Sequence, residues 1–142
     1  MMSGECQLNM DVKGRMMVPA KFREDLGDSF VVTKGLDNCI FVFPKDSWEE
    51  LEAKINELPL ADSRFIKRLL IGSKETLEAD KQGRILVPAT LRQHAKLEKD
   101  VVIMGLGDRA EIWSKAELDA YSYQNFVVES DKVAEKMAQL GL

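Results

Sequence analysis

The chain carries one thirteen-residue motif twice. Residues 11–23 read DVKGRMMVPAKFR and residues 80–92 read DKQGRILVPATLR, so seven of thirteen positions are identical at a spacing of 69 residues. Looser similarity continues, after a one-residue slip, as far as Lys45 and Lys115. Such a repeat indicates one supersecondary unit used twice, and a unit of about 60 residues is only marginally stable alone because it buries proportionally little surface. We therefore expect the two units to pack into one body.

A tight turn between two short strands begins each motif. In the first unit, Gly14 can supply the positive φ that such a turn needs, and the Asp11 side chain can accept hydrogen bonds from the turn backbone. Pro19 ends the second strand and is typical of the first turn of a helix, which Gly27 is expected to close. The pattern predicts an α+β fold.

The remaining elements follow from hydrophobic spacing and turn residues. The apolar runs 29–33 and 39–43 are expected to form a hairpin, and Gly105 and Gly107 are expected in the hairpin turn of the second unit. Ser114 has Glu117 three residues later, which is a capping-box pattern for the start of a helix. Helices are predicted at 45–58, at 62–71, from Ser114 onward and, as a separate last element, at 130–142.

The charges are distributed unevenly between the motifs and the rest of the chain. The net charge is −4, yet residues 11–23 sum to +3 and residues 80–92 to +2, which leaves −9 for the remainder. Local positive balance on an acidic chain indicates that an anionic partner is contacted at these two segments alone.

Each turn projects cationic side chains of a kind suited to DNA. Arginine can donate two hydrogen bonds to guanine O6 and N7 in the major groove, whereas lysine acts as a point charge on phosphate. A carboxylate is repelled by phosphate, so the aspartates are expected to form the turn and orient the arginine. The candidate DNA-binding residues are Lys13, Arg15, Lys81 and Arg84, and the candidate turn-forming and orienting residues are Asp11, Gly14, Asp80 and Gly83.

A solvated turn without function is the alternative interpretation, since an arginine after such a turn often only pairs with the aspartate. Function is favoured because arginine stands in both copies, whereas the neighbouring Lys13 and Gln82 differ. For Arg23 and Arg92, at the motif ends, bracing of a carboxylate is favoured over contact with phosphate.

Enzyme, metal and membrane classes have no support in the sequence. The chain lacks the glycine-rich phosphate loops, the nucleophile elbow and the zinc-protease motif, and His94 is its only histidine. Cys6 and Cys39 have no metal-ligand spacing. We expect no catalytic residues, no cofactor and no metal. No apolar stretch reaches the ~20 residues of a membrane span, and residues 1–5 lack the features of a signal peptide, so a cytoplasmic location is expected.

The doubled motif resembles that of the MraZ family, bacterial proteins built of two SpoVT-AbrB-type repeats. The resemblance rests on residues 11–15 with 18–23 and on residues 80–89, and it extends from about residue 4 to residue 123. It implies a tandem AbrB-like swapped-hairpin β-barrel with short flanking helices and a pseudo-two-fold internal repeat. The implied division is repeat 1 at 4–47, connecting helices at 48–72, repeat 2 at 73–118 and a C-terminal helical tail at 119–142.

The resemblance also implies a function. Members of the family form closed homo-oligomeric rings, octamers or dodecamers, and bind short G-rich direct repeats in double-stranded promoter DNA. They usually repress their own division and cell-wall operon, which places them at the nucleoid. Asp11 with Arg15 and Asp80 with Arg84 match the signature of the family.

Three other interpretations stay open on the residues alone. The chain is compatible with an AbrB-like regulator or antitoxin of another regulon, with a non-DNA protein-binding barrel, and with an RNA-binding protein. The second loop also differs from the first, because Gln82 stands where the first loop has Lys13, and Lys81 lies one position earlier. Equal DNA contacts by the two loops are therefore not assured.

Overall fold

The fold is mixed α+β, as predicted from the sequence. The computed structural model describes the backbone of residues 1–142 and every side chain except that of residue 126. The strands are β1 Met2–Asn9, β2 Arg15–Met17, β3 Ser29–Lys34, β4 Cys39–Pro44, β5 Glu75–Glu78, β6 Arg84–Leu86, β7 Asp100–Gly107 and β8 Ala110–Ser114. The helices are α1 Ala20–Leu26, α2 Lys45–Glu57, α3 Leu60–Ile66 with a π-helical continuation Lys67–Ile71, α4 Ala89–His94 and α5 Lys115–Gln139.

The strands form two antiparallel sheets that mix the two copies of the motif. One sheet has six strands in the order β1-β7-β8-β4-β3-β5, and the other is a two-stranded ribbon of β2 and β6. Exchanging each of β1 to β4 with its counterpart among β5 to β8 gives the same order read from the other end. Strand β1 pairs with β7 and strand β5 pairs with β3, so each repeat supplies an outer strand to the other.

The largest of three hydrophobic clusters among the described residues draws on both repeats. The motif residues Phe22 and Leu91, which occupy matching positions, are both 0% exposed. Val18 and Val87, another matching pair, lie in the same cluster. Full burial of such side chains stabilises the fold by ~1.5–3 kcal/mol each. Because the cluster contains residues from both copies, neither repeat encloses a core without the other.

The predicted helix ends are partly confirmed. Helix α1 ends at Gly27, which has φ 77°. The Ser114 hydroxyl accepts a hydrogen bond from the Glu117 amide at 3.4 Å, as the capping box predicts. The separate helix predicted at 130–142 is wrong, because α5 runs without a break from Lys115 to Gln139. No glycine or proline interrupts that stretch, so nothing in its backbone chemistry ends the helix earlier.

Gly105 does not lie in a hairpin turn. It is inside β7, with Gly4 and Ala110 as its partners in the two adjacent strands. A Cβ atom at Gly105 would lie 2.5 Å from the backbone nitrogen of Ser3. The glycine is therefore required by the close approach of strand β1, and the turn follows Gly107.

Candidate functional site

The two-stranded ribbon brings the two predicted arginines onto one surface. In the register of β2 and β6, Arg15 is opposite Leu86, Met16 is opposite Ile85, and Met17 is opposite Arg84. Met16 and Ile85 are 1% and 2% exposed and face the core. Successive residues of a strand point to opposite faces, so Arg15 and Arg84 share the outer face.

The first loop, residues 11–14, is held by the Asp11 carboxylate. Its Oδ1 accepts hydrogen bonds from the amides of Lys13 at 3.0 Å and Arg15 at 2.9 Å, and its Oδ2 accepts one from Arg15 Nε at 2.8 Å. Gly14 has φ 90° and donates its amide to the Asp11 carbonyl. The Arg15 amide bond is the main reason that the pKa of the Asp11 carboxyl is lowered, and the Arg15 side chain and the Lys13 amide contribute as well. The carboxylate thus shapes the turn and fixes the direction of the guanidinium.

The second loop, residues 80–83, repeats this geometry. Asp80 Oδ1 accepts from the amides of Gln82 and Arg84, both at 2.9 Å, and Oδ2 accepts from Arg84 Nε at 3.2 Å. The pKa of the Asp80 carboxyl is lowered chiefly by the Arg84 amide, with the Gln82 amide as a further cause. Gly83 has φ 83°, in the region that favours glycine.

Each loop is anchored to the repeat that it does not belong to. The amide of Val18 donates to the Gly83 carbonyl, and the amide of Val87 donates to the Gly14 carbonyl, both at 2.9 Å. These two bonds extend the ribbon at both ends, so the loops lie at opposite ends of a shared two-stranded element.

The arginines that end the motif pack against the loops of the opposite repeat. A Cβ atom at Gly14 would lie 2.6 Å from the Arg92 guanidinium carbon, and one at Gly83 would lie 2.6 Å from an Nη of Arg23. Arg92 Nε donates to the Val87 carbonyl at 3.0 Å. The expectation that Arg23 and Arg92 brace a carboxylate is wrong for the described side chains, whose ion pairs include neither residue. Arg92 is thus held by backbone, and the close approach of both arginine side chains leaves no room for a Cβ atom at Gly14 or Gly83.

The outer surface of the ribbon leaves cationic groups available to solvent. The side chains of Arg15 and Arg84 are 40% and 38% exposed. Within the described part of the chain, the side-chain hydrogen bonds of both are made by Nε alone. The Nη groups of both therefore retain their donors, and Lys13 and Lys81 are exposed beside them.

The two loop tips differ in chemistry although their backbones match. Val12 is 99% exposed at the first tip, where the second tip has Lys81. Lys13 is matched by Gln82. A ligand that contacts both tips therefore meets the lysine at the third position of the first loop and at the second position of the second loop.

Two exposed apolar residues of this surface were not predicted from the sequence. Met17 is 41% exposed and Leu86 is 56% exposed, and both share the outer face with the arginines. The signal that could have found them is the two-residue alternation after each glycine, which places Arg15 and Met17 on one face and Met16 and Val18 on the other.

The histidine and the buried cysteine outside the ribbon are held by contacts within the fold. His94 Nε2 lies 3.1 Å from the backbone carbonyls of both Gly35 and Asp37, at the end of α4. Cys39 is buried, and burial raises the pKa of its thiol to about 12. Among the described residues there is no group of three His, Cys, Asp or Glu side chains that could hold a metal ion. The helices in the described part of the chain are all too short or too polar to cross a membrane.

An antiparallel α+β fold with two copies of an Asp-x-x-Gly-Arg turn, whose flanking strands pair across the repeats, defines a class of tandem-repeat proteins. The model of one family, described as "MraZ protein, putative antitoxin-like", matches residues 1–68 and 70–140. The chain belongs to the MraZ family, as the resemblance of its motifs indicated.

Relatives of similar length carry the family name. A protein of Thermoanaerobacter sp. strain X514 is 47% identical over 100% of both chains. A protein of Heliobacterium modesticaldum is 49% identical, also over 100% of both chains. A protein of Desulforamulus reducens is 53% identical over 87% of this chain and 89% of its own. Each of these three relatives is named "Transcriptional regulator MraZ".

Proposed function

We propose that this chain is a sequence-specific, DNA-binding transcription regulator that reads base edges with Arg15 and Arg84. Relatives named as transcriptional regulators match it over their whole length. The observation that carries the proposal is the β2–β6 ribbon, whose register places Arg15 and Arg84 on one outer face.

The ribbon has suitable dimensions and donors for the major groove. That groove is about 12 Å wide and admits a two-stranded ribbon. Because each arginine is bonded to its own aspartate through Nε, the donors of its two Nη groups remain available to a ligand. Two parallel Nη donors match guanine O6 and N7, the commonest specific contact of arginine with a base.

The loops supply the backbone contacts that position the ribbon. Lys13 and Lys81 are exposed on either side and suit phosphate groups as point charges. Asp11 and Asp80 are neutralised by their own arginines, so they do not present unpaired negative charge to DNA. An overall charge of −4 is compatible with DNA binding because only this surface has to be positive.

The strand exchange supports the finer fold assignment. We propose that the chain is a tandem AbrB-like swapped-hairpin barrel in which residues 4–47 and 73–118 are the two repeats. Residues 48–72 would connect them, and residues 119–142 would form the tail. Pairing of β1 with β7 and of β5 with β3 is the kind of exchange that this assignment requires.

Several subunits are expected to act together. A homo-oligomeric ring, an octamer or dodecamer, would present many ribbons to short direct repeats in a promoter. Linked sites raise avidity by roughly 10²–10⁴ without new contacts. The promoter proposed is that of the protein's own division and cell-wall operon, which it would repress as a nucleoid-associated cytoplasmic protein.

The decisive experiment removes both guanidinium groups. Binding of the Arg15→Ala/Arg84→Ala double variant to a duplex of its own promoter is measured by fluorescence anisotropy, with a scrambled duplex as reference. Each bidentate base contact is worth ~1–3 kcal/mol, so two of them predict a loss of about 30-fold or more in specific affinity. Light scattering follows the mass of the assembly, which should not change because both side chains lie on the outer face.

A matched control removes two arginines elsewhere. Arg64 and Arg68 are exposed on α3 and its π-helical continuation. Arg64→Ala/Arg68→Ala loses the same charge and should keep the ratio of specific to nonspecific binding. Unaltered promoter affinity in the Arg15/Arg84 variant would refute the proposed function.

A further inference from the structure

The outer face of the ribbon carries a two-by-two pattern of side chains. Arg15 and Leu86 are opposite each other in the register, and so are Met17 and Arg84. Arg15 and Met17 are two residues apart on one strand, as are Arg84 and Leu86 on the other. Each arginine therefore has an apolar side chain across the ribbon and another along its own strand, and the two arginines lie on a diagonal.

The apolar members of this pattern are open to solvent. Met17 is 41% exposed and Leu86 is 56% exposed, whereas Met16 and Ile85 on the inner face are 1% and 2% exposed. The Met17 sulfur lies 3.3 Å from where a Cβ atom of Gly83 would stand, so this side chain lies across the base of the second loop. Both copies of the motif have a large apolar residue at this position although the residue itself differs.

We infer that Met17 and Leu86 contact the C5-methyl groups of thymines that lie beside the guanines read by Arg15 and Arg84. The inference rests on the proposed function, because it requires the outer face of the ribbon to enter the major groove. The thymine methyl is the apolar group that base edges offer there, and apolar side chains are its usual partners. Each half of the ribbon then recognises a guanine through hydrogen bonds and a thymine through apolar contact.

The spacing of the ribbon fixes how close the two bases are. Residues opposite each other in an antiparallel pair have Cβ atoms ~4.5–5.5 Å apart. Stacked base pairs are about 3.4 Å apart along the helix axis. An arginine and the apolar residue across from it therefore reach either neighbouring base pairs or base pairs with one other pair between them.

The test uses DNA that lacks only the methyl group. The unmodified chain is titrated with its own promoter duplex and with the same duplex in which 2′-deoxyuridine replaces thymidine. Burial of one methyl group is worth ~0.8 kcal/mol, which corresponds to about a fourfold loss of affinity for each methyl group removed. We expect the unmodified chain to prefer the thymine duplex by at least that factor.

Variants of Met17 and Leu86 test the same contact from the protein side. Met17→Ala/Leu86→Ala should bind the thymine duplex more weakly and should no longer distinguish thymine from uracil. Met17→Gln/Leu86→Gln keeps the size of the side chains and should lose the preference as well. Leu36→Ala/Leu60→Ala is the matched control, since these leucines are 74% and 75% exposed elsewhere, and it should keep the preference. Near-ultraviolet circular dichroism checks the fold of each variant, and the duplex comparison on the unmodified chain decides even if a variant fails to fold.

Three results would overturn the inference. The first is equal affinity of the unmodified chain for both duplexes, while Arg15→Ala/Arg84→Ala still loses binding, which leaves the proposed function intact. The second is a thymine preference that persists in Met17→Ala/Leu86→Ala. The third is a change in the mass of the assembly with an unchanged preference, which would assign the pair to contacts between copies. Full affinity of the arginine variant would instead refute the proposed function, and the inference with it.

Discussion

The pairing of Met16 with Ile85 predicts that the two repeats unfold as one unit. These side chains lie opposite each other beneath the ribbon and are 1% and 2% exposed. Replacing either by alanine should lower the free energy of unfolding by about 2–5 kcal/mol, the usual cost of truncating a buried Met or Ile. Native domains have only ~5–15 kcal/mol in total, so each single variant should fold with a clearly reduced stability.

The Met16→Ala/Ile85→Ala double variant gives the stricter test. Both truncations empty the same space, so the second should cost less than it does alone, by an interaction free energy of about 0.5–3 kcal/mol. Urea unfolding at one fixed protein concentration measures the three changes. Trp48 packs against Phe43 of repeat 1, Trp113 lies in β8 of repeat 2, and the two are 1% and 3% exposed. Trp48→Phe and Trp113→Phe backgrounds therefore report the two repeats separately.

Coincident transitions from the two tryptophans are expected. The reasoning is refuted if the two changes add within about 0.3 kcal/mol and the tryptophans report different midpoints, because that outcome describes two independent folding units.

Three further outcomes are expected. The Asp11 carboxyl has a lowered pKa, so its hydrogen bonds should be fully present above pH 3.8 and disappear only as the pH falls through the lower value of the folded state; an amide NMR titration of the loop showing a midpoint above 3.8 would contradict this. Lys13→Ala/Lys81→Ala should reduce the log–log salt slope of DNA binding by about 1.8, or ~0.9 for each phosphate that is no longer neutralised; an unchanged slope would mean that neither lysine contacts phosphate. Gly105→Ala places a Cβ atom 2.5 Å from the Ser3 nitrogen and should cost about 1–3 kcal/mol, because the obstacle is backbone; a melting temperature equal to that of the unaltered chain would show that β1 yields freely.

The loops were largely accessible to sequence reasoning. Asp11 and Gly14 are local turn residues, and the hydrogen bonds inside the turn join chain neighbours within four positions. The same holds for the start of α1 after Pro19 and for the cap at Ser114. Interactions between near neighbours in the chain determine these features, so they can be predicted from one sequence.

The contacts between repeats were not accessible in the same way. Strand β1 could pair with several apolar strands, and its register on β7 depends on the close approach at Gly105, which looks like a turn residue in the sequence. Arg92 packs on Gly14 from 78 positions away, and a charged side chain gives no local sign of such a partner. Met17 and Leu86 lie in uninterrupted apolar runs, where the two-residue alternation separates two faces but only contacts with the rest of the fold decide which face is exposed.

The covalent connection between the two copies has a consequence for how recognition can diversify. If a single unit formed the same ribbon by pairing with an identical chain, every substitution at a tip would occur on both sides at once. Here Val12 and Lys13 face the solvent at one end while Lys81 and Gln82 do so at the other, on matching backbones. Because both repeats lie in one chain, each loop tip can carry residues that the other lacks. A scaffold with two equivalent ends can thus present two different contact surfaces in a fixed order.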